Sequence, residues 1–134
     1  MAEGGMMRAV PLLFVLMSAA PAVAEVALTP EEFEAEVTGR TLTYATPDGP
    51  YGIERYMDGR RVTWGFLNGE CYDGVWFPEG DAICFAYKGI DEVQCWRFWR
   101  EGAGLTAEFV GEGGSLLFEM TEDGLPLVCG GVGA

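Results

Sequence analysis

The chain has 134 residues, a formal net charge of −13 and no histidine. The missing histidine removes Ser-His-Asp and Cys-His nucleophilic catalysis, histidine acid–base chemistry and the common zinc and copper sites. The negative charge argues against nucleic acid and against an anionic membrane surface as partners, since both would repel it.

Residues 1–24 carry the pattern of a secretory signal: Met7-Arg8 as a short basic start, an apolar run from Ala9 to Ala20, and Ala22-Val23-Ala24 as a small-x-small cleavage site. The run is shorter than the ~20 apolar residues that a spanning helix needs. The pattern therefore predicts export to the periplasm or beyond, with cleavage and no membrane span left behind. Glu3 ahead of the basic residue points to a start at Met6 or Met7, and no cysteine follows the cleavage site to take a lipid. Cleavage removes one acid and one base, Glu3 and Arg8, so the charge of −13 is unchanged. Residues 25–134 then form one small domain.

That domain opens on a helix over about 30–38. Thr29 is its N-cap, Pro30 suits the first helical position, Glu32 completes a capping box, and Leu28 and Phe33 are spaced for a hydrophobic staple. Gly39 ends it. Phe33 and Val37 share one face, and so short a helix needs something to dock on.

Eight strand-like runs follow at near ten-residue spacing: Thr41–Thr46, Tyr51–Met57, Arg61–Leu67, Cys71–Phe77, Ala82–Lys88, Glu92–Arg100, Leu105–Val110 and Ser115–Thr121. Short glycine-rich links favour sequential antiparallel pairing. The expected fold is mainly β, an up-and-down meander closing into a small barrel or a curled sheet, preceded by the one helix. Asp58-Gly59, Asn68-Gly69 and Glu79-Gly80, taken as two-residue hairpin loops, pair Met57 with Arg60, Leu67 with Glu70 and Pro78 with Asp81.

Chaining these registers sorts the side chains into two faces. One holds Tyr51, Ile53, Val62, Trp64, Phe66, Cys71, Val75, Phe77, Ala82, Cys84 and Ala86, joined by Val93, Cys95, Arg97 and Trp99 if Gly89-Ile90 closes the next hairpin. The other holds Tyr72, Trp76, Phe85, Tyr87, Trp96 and Phe98, with Tyr56 and Ile83. Both are apolar, so the second is either covered, the helix being the obvious cover, or exposed as a binding patch. Asp73 falls opposite Trp64, which calls for a bulge or a charged partner. Glu54 and Arg97, charged residues inside apolar strands, line a small polar pocket or face solvent.

Four cysteines in an exported domain read as two disulfides. Four cysteines allow three connectivities; with Gly89-Ile90 closing the next hairpin the register sets Cys84 directly opposite Cys95, which favours Cys84–Cys95 with Cys71–Cys129, the second tying the C-terminal segment to the sheet. No Asp-x-Asp-x-Asp spacing makes a calcium loop, and the acid pairs at Glu31-Glu32, Asp91-Glu92 and Glu122-Asp123 suit a helix first turn or turns. Nothing in the residues calls for a catalytic group, a metal or a cofactor.

The run Glu32-Phe33, Gly39-Arg40-Thr41-Leu42, Tyr51-Gly52-x-Glu54-x-Tyr56, Trp64, Cys71-x-x-Gly74-x-Trp76, Ile83-Cys84-Phe85-x-Tyr87 and Cys95-Trp96 resembles a family of small exported alphaproteobacterial proteins of unknown function. The resemblance implies export and assigns no activity. Tyr72-x-Gly74-x-Trp76 resembles one unit of a membrane-occupation-and-recognition-nexus repeat, but the period is not sustained. The meander resembles periplasmic lysozyme inhibitors built on eight-stranded barrels, without their Ser-Gly-x-x-Tyr loop.

The reading is thus a non-enzymatic exported domain that binds a partner through its aromatic face or barrel mouth. A lipocalin-like carrier of a small apolar ligand is the first alternative, and it would enclose its cavity with the cysteine-bearing face, where Ala82 and Ala86 leave room and Trp64, Phe66 and Phe77 fill it. An acidic inhibitor of a cationic cell-wall enzyme such as lysozyme is the second.

Overall fold

The structure is a computed structural model that describes residues 4–5, 8–18 and 26–130. Helix α1 (Pro30–Val37) leads into strands β1 (Thr41–Thr46), β2 (Gly49–Met57), β3 (Arg61–Phe66), β4 (Cys71–Glu79), β5 (Ala82–Tyr87), β6 (Gln94–Glu101), β7 (Gly104–Phe109) and β8 (Leu116–Glu119). The strands pair antiparallel in sequence order, and β8 pairs back onto β1, so the sheet is a closed eight-stranded barrel with no free edge. Among the described residues no helix is long and apolar enough to cross a membrane. Residues 8–18 form no helix or strand, and Val10 and Leu12 to Met17 are 72–91% exposed. The proposed cleavage residues Ala22-Val23-Ala24 lie outside the described residues, as do Glu3, Met6 and Met7.

The helix forms as its cap predicts. The Glu32 amide donates to Thr29 Oγ1 at 3.2 Å and the Thr29 amide donates to Glu32 Oε1 at 3.0 Å, so each otherwise orphaned N–H group is satisfied by the other residue's side chain. This fixes the angle at which Phe33 and Val37, both 0% exposed, enter the barrel. Phe33 packs edge-on against Tyr56 and Trp76, with ring centroids 5.7 and 5.1 Å away, and lies 4.6 Å from Phe98. The helix therefore docks on the expected aromatic face, but as a plug in one end of the bore. Arginines on the rim hold its acidic flank: Arg60 lies 3.4 Å from Glu34, and Arg100 and Arg40 lie 2.8 and 3.4 Å from Glu36. The Arg60 guanidinium also sits 4.5 Å above the Trp76 ring.

Two loops differ from the expected two-residue turns. Met57 pairs with Arg61 across a short 3-10 turn (Asp58–Arg60), and Gly65 pairs with Cys71, the Phe66 amide donating to Glu70 O at 2.9 Å. Each change shifts pairing by one residue and they act in opposite directions, so only β3 is turned over. Val62, Trp64 and Phe66 point into the bore, where Trp64 lies between Glu54 and Tyr72 in the pairing, and not onto the cysteine-bearing face. Gly52 opposite them faces inward too, and a Cβ there would collide with the Trp64 ring. Asp73 consequently sits opposite Thr63 on the exposed outer side, accepting a 2.7 Å hydrogen bond from Thr63 Oγ1 without a bulge or a charged partner. At the third turn Glu79, not Pro78, closes the hairpin, with Ala82, a two-residue shift that keeps the faces.

The cysteine-bearing face is the outside of the barrel. Cys84 pairs with Cys95 across β5 and β6 at a Cα separation of 4.0 Å, and Cys71 is bonded to Cys129. The second bridge secures the tail over the outer surface of β1 to β4: the Met120 amide donates to Thr43 O, the Leu125 amide to Thr43 Oγ1, and the Gly130 amide to Gly69 O. Leu127 presses on Gly65, where any side chain would overlap it.

If Phe33 is the plug, Phe33→Ala should lower unfolding stability by about 3–5 kcal/mol in urea titrations. A loss under about 1 kcal/mol would mean that the helix adds little to the core.

Candidate functional site

Away from the plug the bore widens. Beneath the loops 47–48, 67–70, 88–93 and 110–115 lies a cavity of about 80 Å³, lined by eight aromatic residues, Tyr44, Tyr51, Tyr56, Trp64, Phe66, Phe85, Tyr87 and Trp96, together with Glu54, Ile90, Gln94 and Leu117. A water needs roughly 10–15 Å³ measured this way, so the space would take several waters or one compact organic group. Tyr51, 46% exposed, and the loop residue Ile90 mark where it meets the surface.

The strands deliver these side chains by simple alternation. Gly52, Glu54 and Tyr56 share the inward face of β2, Trp64 and Phe66 that of β3, Phe85 and Tyr87 that of β5, and Gln94 and Trp96 that of β6. Tyr51 is the exception. Pairing with β1 skips it, since Tyr44 faces Gly52 and Ala45 faces Pro50, and this bulge brings an outward position back toward the mouth. Its ring stands 5.9 Å from Trp64 and 6.2 Å from Phe66, at 45° and 81° to them, so the three rings form a corner and not a flat stack.

Glu54 is 1% exposed, and its one hydrogen bond comes from the Tyr87 hydroxyl, which donates to Oε1 at 2.6 Å. Oε2 is buried and has no hydrogen-bond partner, one of two such side-chain atoms among the described residues; the other is Trp99 Nε1 on β6. Among the described residues no arginine or lysine lines the cavity. Burial pushes the Glu54 pKa up to about 8, and the Tyr87 hydroxyl only partly offsets this. Nearby, Tyr44 and Tyr56 share a hydrogen bond of 2.8 Å between their hydroxyls. Burial raises the pKa of Tyr44, Tyr56 and Tyr87 above the ordinary phenol value, so all three stay neutral hydroxyls through the physiological range. The cavity thus offers a carboxyl group that donates a hydrogen bond when neutral and presents an unpaired negative charge when ionised, in an aromatic wall.

Of the six aromatic residues that the sequence singles out, Phe85, Tyr87 and Trp96 line the cavity. Trp76 and Phe98 are 2 and 3% exposed against the helix plug, and Tyr72 packs on Phe66 near the rim. An exposed patch on the outer sheet surface is therefore not formed by these side chains. A cavity behind the cysteine-bearing face is not formed either, because that face is outside. Tyr51, Trp64 and Phe66 are expected on the cysteine-bearing face and line this cavity instead, Tyr44, Ile90, Gln94 and Leu117 have no site role in the sequence reading, and Glu54 stands there only as one charged residue in an apolar strand. Arg97, the other, is outside and lies 3.1 Å from Asp81 and 3.7 Å from Glu108. Among the described residues, Glu79, Cys84 and Cys95 form a cluster of metal-ligating types, but the two sulfurs are bonded to each other and supply no thiolate.

Comparison with protein-family models, with curated proteins and with solved structures finds no match to this chain.

The folded pKa of Glu54 lies above its ordinary value of 4.5, so the folded chain holds this proton more tightly than the unfolded chain. The stability this gives is fully present below about pH 4.5 and is lost as pH rises through about 8. Glu54→Gln keeps an acceptor for Tyr87 and cannot ionise. Its Tm should match that of the unchanged protein near pH 4.5 and exceed it increasingly toward pH 9; a difference independent of pH would show that Glu54 ionises freely.

Proposed function

We propose that the chain is a non-enzymatic, exported binding protein that takes a small ligand into the aromatic cavity at the open end of its barrel. One observation carries this reading: Glu54, 1% exposed, lines a cavity walled by eight aromatic residues while its Oε2 has no partner. A buried polar atom left unsatisfied costs about 1–3 kcal/mol. A core built for stability alone would place an apolar residue there, whereas a binding site gains specificity from such a group once the ligand meets it.

Export to the periplasm or beyond belongs to the same proposal. Two disulfides accord with an oxidising compartment. The apolar residues 10–17, exposed and making no part of the barrel, accord with a leader that is removed. Membership of the exported alphaproteobacterial family that the sequence resembles would place the protein in the same compartment. The barrel mouth, not the outer sheet surface, is then the working face.

Cyclohexanol is a suitable neutral probe, compact and apolar with one hydroxyl. It should shift the amide resonances of Gly52 and Gln94 and the indole resonance of Trp96 in a saturable manner. Ile90→Trp, which sets a large ring at the mouth, should weaken that binding about tenfold or more, a loss of about 1.4 kcal/mol, with Tm unchanged. Shifts scattered over the outer strands, or none, would sink the cavity reading.

A further inference from the structure

The chemistry of the cavity wall allows its ligand class to be narrowed, provided that the cavity is the binding site. Elsewhere in the barrel the buried or half-buried acids are matched by cations. Glu119, with a side chain 3% exposed, lies 2.9 Å from Arg40, and Glu34 and Glu36 on the helix face Arg60, Arg100 and Arg40. Glu54 is the acid that the fold buries most deeply, and among the described residues it makes no ion pair within 4 Å. The groups around it are the hydroxyls of Tyr44 from β1, Tyr56 from β2 and Tyr87 from β5. The charges beyond them, Glu119 and Arg40, are paired with each other. A positive charge is the missing complement.

The remainder of the wall suits the same charge. Aromatic rings present a negative π-face that attracts a cation within about 6 Å of the centroid, by ~2 kcal/mol or more where water is excluded. A bare metal ion would need several oxygen ligands that aromatic rings cannot supply. An alkylated ammonium carries its charge on an apolar surface, which rings and a single carboxylate can satisfy together. The overall charge of −13 raises the local concentration of any such cation.

We infer that the cavity binds a small organic cation, a substituted ammonium head held among the aromatic rings with its charge paired to the Glu54 carboxylate. Binding then entails loss of the Glu54 proton to solvent, because the free protein holds this carboxyl protonated below about pH 8. Affinity rises with pH up to that point, about tenfold per unit, and is level above it. The surrounding tyrosines, their pKa values raised by burial, do not titrate in this window.

Choline and 3,3-dimethylbutan-1-ol have the same shape and differ by the positive charge, so they separate charge from fit. In calorimetric titrations of the full exported chain at pH 8.5, choline should bind at least about tenfold more tightly than the alcohol. Below pH 7.5 its binding should weaken about tenfold per unit and release close to one proton, read from heats in buffers of different ionisation enthalpy. Glu54→Gln should abolish the preference. The pH profile and proton release of the unchanged protein test the same point without a variant. Equal binding of the two probes would overturn the cation assignment and leave the cavity as a site for neutral ligands, whereas a preference that survives Glu54→Gln, or choline affinity independent of pH, would overturn the pairing with Glu54 and leave the rings alone to select the charge. Binding of neither choline nor the alcohol, nor of cyclohexanol, would overturn both.

Discussion

The packing of Phe33 among Tyr56, Trp76 and Phe98 is the contact on which the other features of the barrel depend. An eight-stranded barrel has an interior wide enough that its own side chains just fill it. Here the filling is uneven, because a helix side chain enters from outside and completes one half. Val37, Leu42, Val62 and Leu105 close around it, none more than 3% exposed. Among the described residues no second helix enters the opposite half, and eight aromatic residues there surround a cavity. The plug is itself held by local chemistry, the Thr29–Glu32 capping box and the arginines at the rim, so a segment at the start of the domain decides which end of the barrel is core and which end is site.

That division explains why one acid is left without a counter-charge. The fold has cations to place: Arg40, Arg60 and Arg100 all serve the plugged end, and Arg97 is bonded on the outer surface. Glu54 lies beyond them on the open side, with a tyrosine hydroxyl as its single donor. Burying a carboxyl in this manner opposes folding at every pH where it would otherwise ionise. The cost is set against two disulfides and a closely packed aromatic plug, and under the proposed function it falls on the residue that meets the ligand.

Much of this architecture is legible in the sequence. The capping box, the Phe33 and Val37 pair, the eight strands and the Cys84–Cys95 pair follow from local chemistry and from alternation, Cys71–Cys129 is the pair that this leaves, and the structure has each of them. The inward set on β4 to β6, from Tyr72 to Phe98, is also sorted correctly. The inside of the barrel was harder to identify, since both faces are apolar and alternation alone does not say which one closes on itself. The site suffered most from loop length. One extra residue in the Asp58 turn and one slip at Asn68-Gly69 cancel across β4 but turn β3 over, and so bring Trp64 and Phe66 into the bore, where two-residue turns would leave them outside. The bulge at Tyr51 has no signal in alternation, because it breaks alternation. Glu54 was visible as an anomaly, an acid between Ile53 and Tyr56 in an apolar strand, and its significance depends on knowing that its face is buried on all sides.

The disulfides complete the contrast between the two ends. Core contacts hold the plugged end together, whereas the open end is a ring of loops over a cavity and cannot gain the same packing. Each bridge has at least one cysteine near a loop of that end. Cys84–Cys95 joins the strands just before the 88–93 loop, which carries Ile90 into the mouth and leads into Gln94. Cys71–Cys129 stands beside the 67–70 loop, and the tail it holds donates from Gly130 to Gly69. Covalent cross-links limit the unfolded chain without filling space, so they can steady the rim while leaving room inside it. A preformed mouth lowers the ordering cost that a small ligand would otherwise meet on binding, and a compact ligand with few atoms to contact has the most to gain from that.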